Sequence, residues 1–173
     1  KIRTSFIITT FSGQNYIINN MNTGLSVKFL EGNLNNGFVS RNSSLVFDPS
    51  MYTFKATTTN NVPTNSGIQI YFPPEIAFGN LGIINSTCSY NDTLNNTIYG
   101  NCNASYPYVT LMINNTKPLQ TGTNFTVIIN HIRNPRSIST SSSFSIMTCD
   151  NYSNTIDKTH NSLTVSSFIS QNT

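Results

Sequence analysis

Two neighbouring stretches decide the fold: Tyr52-Thr53-Phe54-Lys55-Ala56 and Ser66-Gly67-Ile68-Gln69-Ile70-Tyr71-Phe72-Pro73. In the first, Tyr52, Phe54 and Ala56 share one face while Thr53 and Lys55 take the other; in the second, Ile68, Ile70 and Phe72 repeat the pattern. A period of two is the mark of a strand with one buried face. The alternation recurs at Val109-Leu111-Ile113, Phe125-Val127-Ile129, Phe144-Ile146-Thr148 and Leu163-Val165, and earlier at Leu25-Val27-Phe29 and Leu45-Phe47. Turn and strand-ending residues lie between these runs: Asn61-Val62-Pro63, Phe72-Pro73-Pro74, Lys117-Pro118, Gly122 and Asn134-Pro135. Asn36-Gly37, a favoured hairpin dipeptide, separates the two early runs. Helix signals are nearly absent, with three alanines and no dozen residues that hold a 3.6-residue apolar period. Short alternating strands with regular turns predict an all-β chain, an antiparallel β-sandwich.

The 173 residues suffice for one sandwich-sized domain. Only 15 are charged, 9% of the chain against about 25% in an ordinary soluble domain. Asn (27), Thr (23) and Ser (22) supply the polarity instead, so amides, hydroxyls or attached sugar must keep the surface wet. A net charge of +3, with no Lys or Arg run, leaves no electrostatic footprint for nucleic acid. The 19 Phe and Tyr residues, with many Ile and Val, are enough for a core and unlike a disordered tract. No apolar run approaches a membrane span. Lys1 to Thr10 lack the small-residue cleavage site of a signal peptide, so the chain is expected to be a mature piece of something longer.

The N-terminus departs from alternation. Phe6-Ile7-Ile8 and Tyr16-Ile17-Ile18 are apolar on consecutive residues, so both faces of a strand there want burial. Two homes are open to it: the centre of its own sandwich, or the open edge of a neighbouring subunit. Residues 1–21 are therefore set apart as a candidate donor strand, with 22–173 as the sandwich.

Three cysteines occur, none in a CxxC pair and none near His131 or His160, which argues against zinc. Cys88 and Cys102 enclose thirteen residues of largely polar sequence within an insert at 85–105, a spacing that suits a loop-closing disulfide and leaves Cys149 over. The pairs 88–149 and 102–149 remain open at this point. N-glycosylation sequons start at Asn42, Asn85, Asn91, Asn95, Asn103, Asn114, Asn124 and Asn151. A random order of this composition gives about seven, so the count carries little and the placement more. Asn124 and Asn114 fall outward by strand parity, and Asn85 to Asn103 lie in or beside the cysteine loop. Disulfide spacing and sequons together predict an extracellular protein, secreted or at the cell surface, carrying covalent N-glycans.

Catalytic signals are weak. Glu31, Asp48, Glu75, Asp92, Asp150 and Asp157 are scattered, and no GxSxG, HExxH, P-loop or GxGxxG string occurs. His131 reads as a surface histidine at a strand end. Asp150, Asn151, Asn154 and Asp157 place oxygen ligands within eight residues, but without EF-hand spacing they read as a polar hairpin connection. Tyr90, Tyr99, Tyr106 and Tyr108 flank the cysteine loop, where they either pack beneath it or form a platform for stacking sugar rings. No catalytic residue, cofactor or metal ligand is nominated, and the chain reads as a non-enzyme.

The strand series Tyr52 to Pro63 and Ser66 to Pro73, the cysteine-bearing insert, Gly122 to Pro135 and Ser143 to Asp150 together resemble the Ig-like modules of large Asn- and Thr-rich surface proteins of protists and other microbes. The strand entering Ile70-Tyr71-Phe72-Pro73, the Ile132-Arg133-Asn134-Pro135 turn and the Ser143-Phe144-Ser145-Ile146 strand carry the likeness, over about Ser50 to Phe168. It implies an Ig-like sandwich with a structural or adhesive, non-enzymatic role outside the cell. Combined with the doubly apolar N-terminus, it leads to an expected function: subunit of an extracellular glycosylated filament or surface coat. Copies of the chain would join head-to-tail by strand donation through Phe6, Ile8, Phe11, Tyr16 and Ile18, a contact that propagates because it does not close. The competing readings are a monomeric adhesion or carbohydrate-binding module that uses Tyr90 and Tyr99, and, more remotely, a hydrolase built on the scattered carboxylates.

Overall fold

The structure, a computed structural model, describes residues 3–5, 8–11, 17–21, 26–28, 30–76, 87–94, 97–105, 107–113 and 118–169. It divides into two compact units, Lys1–Glu31 and Gly32–Thr173. All regular structure among the described residues is β.

The smaller unit holds β1 (Arg3–Ser5), β2 (Ile8–Phe11), β3 (Ile17–Met21) and β4 (Ser26–Lys28). β1 pairs with β4 and β2 with β3, both antiparallel, in two separate two-stranded sheets. The pairings are nested, with Arg3 opposite Lys28 and Ile8 opposite Met21. The segment expected as one strand is thus folded back on itself. The units divide after Glu31, where the sequence reading has a boundary after Met21, because β4 is paired back to β1.

The larger unit runs through β5 (Gly32–Asn33), β6 (Asn35–Arg41), β7 (Pro49–Thr57), β8 (Ser66–Tyr71), β9 (Thr87–Asp92), β10 (Thr97–Asn101), β11 (Asn103–Ser105), β12 (Tyr108–Ile113), β13 (Asn124–Arg133), β14 (Ser145–Cys149) and β15 (Thr155–Lys158). They form a five-stranded antiparallel sheet, β10-β9-β13-β7-β6, and a six-stranded sheet, β11-β12-β8-β14-β15-β5, in which only the β15–β5 pair is parallel. The result is a sandwich-like, all-β architecture with one core. Tyr52, Phe54, Ala56, Phe125, Val127 and Ile129 enter that core from the first sheet, and Ile68, Ile70, Val109, Leu111 and Ile146 from the second. The rings of Tyr52, Phe54, Phe72 and Phe144 meet at its centre with centroids 5.4 to 6.3 Å apart. Each such pair adds about 1 kcal/mol beyond its buried area.

The chain passes directly from one sheet to the other on each side of this core. Buried Leu34 separates β5 from β6, and buried Cys102 separates β10 from β11.

Three expectations change. Asn36-Gly37 does not turn a hairpin; it lies inside edge strand β6, where the register against β7 slips between Asn35 and Phe38. Asn36 adopts the left-handed backbone (φ 52°) that Asn tolerates, so the dipeptide makes a bulge. Leu45-Phe47 is not a strand with a buried face: both side chains are exposed and Phe47 has φ 59°. The guanidinium groups of Arg133 and Arg136 sit 4.8 and 4.5 Å from its ring centroid, and cation–π attraction holds the ring at the surface. His131 is exposed as expected, but within β13 rather than at its end, on a bulge with φ 62°. That bulge shifts the buried parity, from Phe125, Val127 and Ile129 to Ile132 and Asn134.

Candidate functional site

The structure joins Cys88 to Cys102, with Cα atoms 5.6 Å apart. Cys88 faces the core from β9, and Cys102 sits at the crossing between sheets, so the bridge ties the five-stranded sheet to the start of the other. Tyr90, two residues along β9, also points inward and is wholly buried beside Phe125, at 6.3 Å between centroids. Its hydroxyl donates to Asp92 Oδ2 at 2.6 Å. Burial first, then the neighbouring carboxylate, push the phenol far above its ordinary pKa. Tyr90 therefore packs beneath the cysteine loop and has no face for stacking a sugar. The side chain of Tyr99 and the whole of Tyr106 lie outside the described residues.

Cys149 is free and buried. Burial, with a smaller push from Asp150, raises its thiol to about 11 against a weaker opposing hydrogen bond from Thr155. At pH 8 its thiolate fraction is then about two orders of magnitude below that of an ordinary cysteine. Iodoacetamide is expected to label it slowly in the native protein and promptly in urea; fast native labelling would contradict this burial.

Of the eight sequon asparagines, Asn42, Asn91, Asn103, Asn124 and Asn151 are described, and all five are exposed. Asn42 Oδ1 accepts from Ser50 Oγ at 2.8 Å and from the Met51 amide at 2.7 Å. Asn124 Oδ1 accepts from Thr57 Oγ1 at 2.5 Å. In both, the amide nitrogen, the atom that carries an N-linked sugar, keeps no hydrogen-bond partner among the described residues. Asn85, Asn95 and Asn114 lie outside the described residues.

The acidic residues do not converge. Among the described residues, no group of three or more His, Cys, Asp or Glu is placed to hold a metal. Asp150 caps its own hairpin, accepting from the amides of Tyr152 and Asn154 and from Asn154 Nδ2 at 2.8 to 2.9 Å. Asp157, wholly buried, is held by Thr59 and Asn60. Buried Asn134, a position that sequence reading treats only as a turn, donates to the carbonyls of Ser43 and Leu45 and accepts from the Tyr52 hydroxyl at 2.8 Å. It fastens the 43–48 loop to the end of β13; the Asn-Pro dipeptide was the signal available for it.

Of the candidate donor residues, Ile8 and Phe11 lie on β2 and Ile18 on β3, while Phe6 and Tyr16 lie outside the described residues. No helix among the described residues is long and apolar enough to cross a membrane.

No family model matches the chain, and no curated protein matches it. Among solved structures, the chain is similar to AvmM, which catalyses macrocyclization in alchivemycin A biosynthesis, at 9% identity and a TM-score of 0.33, over 80% of this chain and 93% of that one. A likeness of this size carries no argument about this chain.

Proposed function

We propose that the chain is a glycosylated structural subunit of an extracellular filament or surface coat, built on an Ig-like sandwich and joined to copies of itself by strand pairing through the N-terminal unit. One observation carries the reading. The four described strands of Lys1–Glu31 pair in twos, so among the described residues of that unit each strand keeps one backbone edge without a ladder partner. A two-stranded ribbon is marginal alone in water and gains stability by adding to a further sheet. The sandwich-like unit, in turn, has end strands β10 and β6 in one sheet and β11 and β5 in the other. Strand addition between copies would satisfy both, and a heterologous contact of that kind extends into a fibre. The folded-back pairing changes the donated element from a lone strand to a ribbon offering its edge. Exposed sequon asparagines and the Cys88–Cys102 bridge support an extracellular setting.

The test is electron microscopy of native material, repeated on a chain starting at Gly32. Fibres are expected from the full chain, and dispersed, folded particles from the truncated one. Dispersed full-length particles, or fibres from the truncated chain, would sink the reading.

A further inference from the structure

The outer face of the six-stranded sheet carries a groove that the assembly reading does not use. Its volume is about 420 Å³. Tyr108 on β12, Tyr71 on β8 and Ser145 on β14 stand directly opposite one another across three adjacent strands, so their side chains form one row. The next row places Met147 opposite Lys158 of β15, and the chain beyond β15 brings His160 to the rim. From β12 to β15 is three strand spacings, about 14 Å. The groove is thus longer than one sugar ring.

Its two ends differ in chemistry. At one, the Tyr71 and Tyr108 rings meet at 61° with centroids 5.6 Å apart, and Tyr108 is 38% exposed. This makes an apolar corner, and neither phenol oxygen has a hydrogen-bond partner among the described residues. At the other, the Lys158 ammonium has no ion-pair partner among the described residues, and no carboxylate lines the groove. The hydroxyl groups of Ser145 and Thr159, 3.5 Å apart, also line the groove, and that of Thr159 accepts from the Ile146 amide at 3.0 Å. Such a groove presents an aromatic surface for the C–H face of a pyranose, the Ser145 hydroxyl beside it and, about two rings away, a positive charge without an ion-pair partner among the described residues. We propose that it binds an acidic oligosaccharide, with one ring against Tyr71 and Tyr108 and a carboxylate on a following ring at Lys158. The charge selects an acidic sugar over a neutral one.

The experiment titrates the full chain with trigalacturonate, and with maltotriose as the neutral control. Trigalacturonate is expected to bind at least tenfold tighter than maltotriose, and to weaken as salt rises. Tyr108→Ala and Lys158→Gln are each expected to weaken it about tenfold, whereas Tyr108→Phe, which keeps the stacking face, stays within about threefold. Both side chains reach solvent, and thermal melting of each variant confirms that the fold is retained. Absence of trigalacturonate binding, equal binding of maltotriose, or wild-type affinity in both variants would overturn the proposal. Repeating the titration after glycosidase treatment separates the sources of the sugar. Affinity that tightens identifies the chain's own glycans as the native occupant, and unchanged affinity identifies an external polymer. Filament formation is read separately, so failure of either proposal leaves the other standing.

Discussion

Replacing Asp157 with Ala is expected to lower stability by about 3 kcal/mol, read as a shift of the urea midpoint with the slope unchanged. Asp157 is wholly buried on β15, and its carboxylate accepts four hydrogen bonds. The donors are the amide and hydroxyl of Thr59, at 3.1 and 3.0 Å, and the amide and side-chain amide of Asn60, at 3.1 and 2.6 Å. Its own amide donates to Thr148 Oγ1 at 3.1 Å. One carboxylate therefore ties the six-stranded sheet to the loop that leaves β7 of the other sheet, across 98 residues of sequence. The packing there is close: a Cβ on Gly32, which lies opposite Asp157, would collide with Asn60 Nδ2 and Asp157 Oδ1. Alanine removes the acceptor from all four donors at once. Asn60 is exposed, so water recovers part of the loss, and the expected cost stays below the sum of four charged hydrogen bonds. Asp157→Asn keeps one acceptor oxygen but turns an NH2 toward donors, and should fall between wild type and Asp157→Ala. A loss under about 0.5 kcal/mol for the alanine variant would show that this cluster does not hold the sheets together.

The second large effect is expected from the double variant Cys88→Ser, Cys102→Ser. The bridge closes a loop with a sequence separation of 14, and opening it restores about 3 kcal/mol of unfolded-state entropy in the chain-entropy account. For a protein of this size that corresponds to a fall in Tm of roughly 6 to 12 °C. Two further costs act in the same direction, because both positions are buried and a serine hydroxyl at each must find a partner. Reduction of the wild-type protein should reproduce most of the shift. The control is Cys149→Ser, which breaks no crosslink and should move Tm much less. Equal falls for the two variants would mean that burial of the side chain, rather than the crosslink, supplies the stability.

Much of the larger unit is legible from the amino-acid order because its signal is local. A strand with one buried face must alternate, and Tyr52-Phe54-Ala56, Ile68-Ile70, Val109-Leu111-Ile113 and Phe125-Val127-Ile129 all do so and all face the core. The misreadings fall where local chemistry fits two structures. An Asn-Gly pair supplies left-handed backbone equally well to a hairpin turn or to a bulge, and only the position of β6 against β7 selects the bulge. Leu45 and Phe47 alternate like strand residues, but two arginines more than eighty residues away in sequence hold Phe47 outside. Tyr90 could stack on sugar or pack; its place on the inward parity of β9, beside Phe125, decides for packing.

By itself, the sequence determined the β class of the described residues and the inward faces of the long central strands, since strand period is a property of adjacent residues. Tertiary structure alone decided which distant groups meet. The pairing of β2 with β3 folds an expected strand into a ribbon, Asp157 finds its four donors across the core, and Tyr71, Tyr108 and Lys158 come to one face over separate strands of one sheet. Such contacts depend on strand order and register, which are set by the packing of the whole sandwich rather than by any one segment.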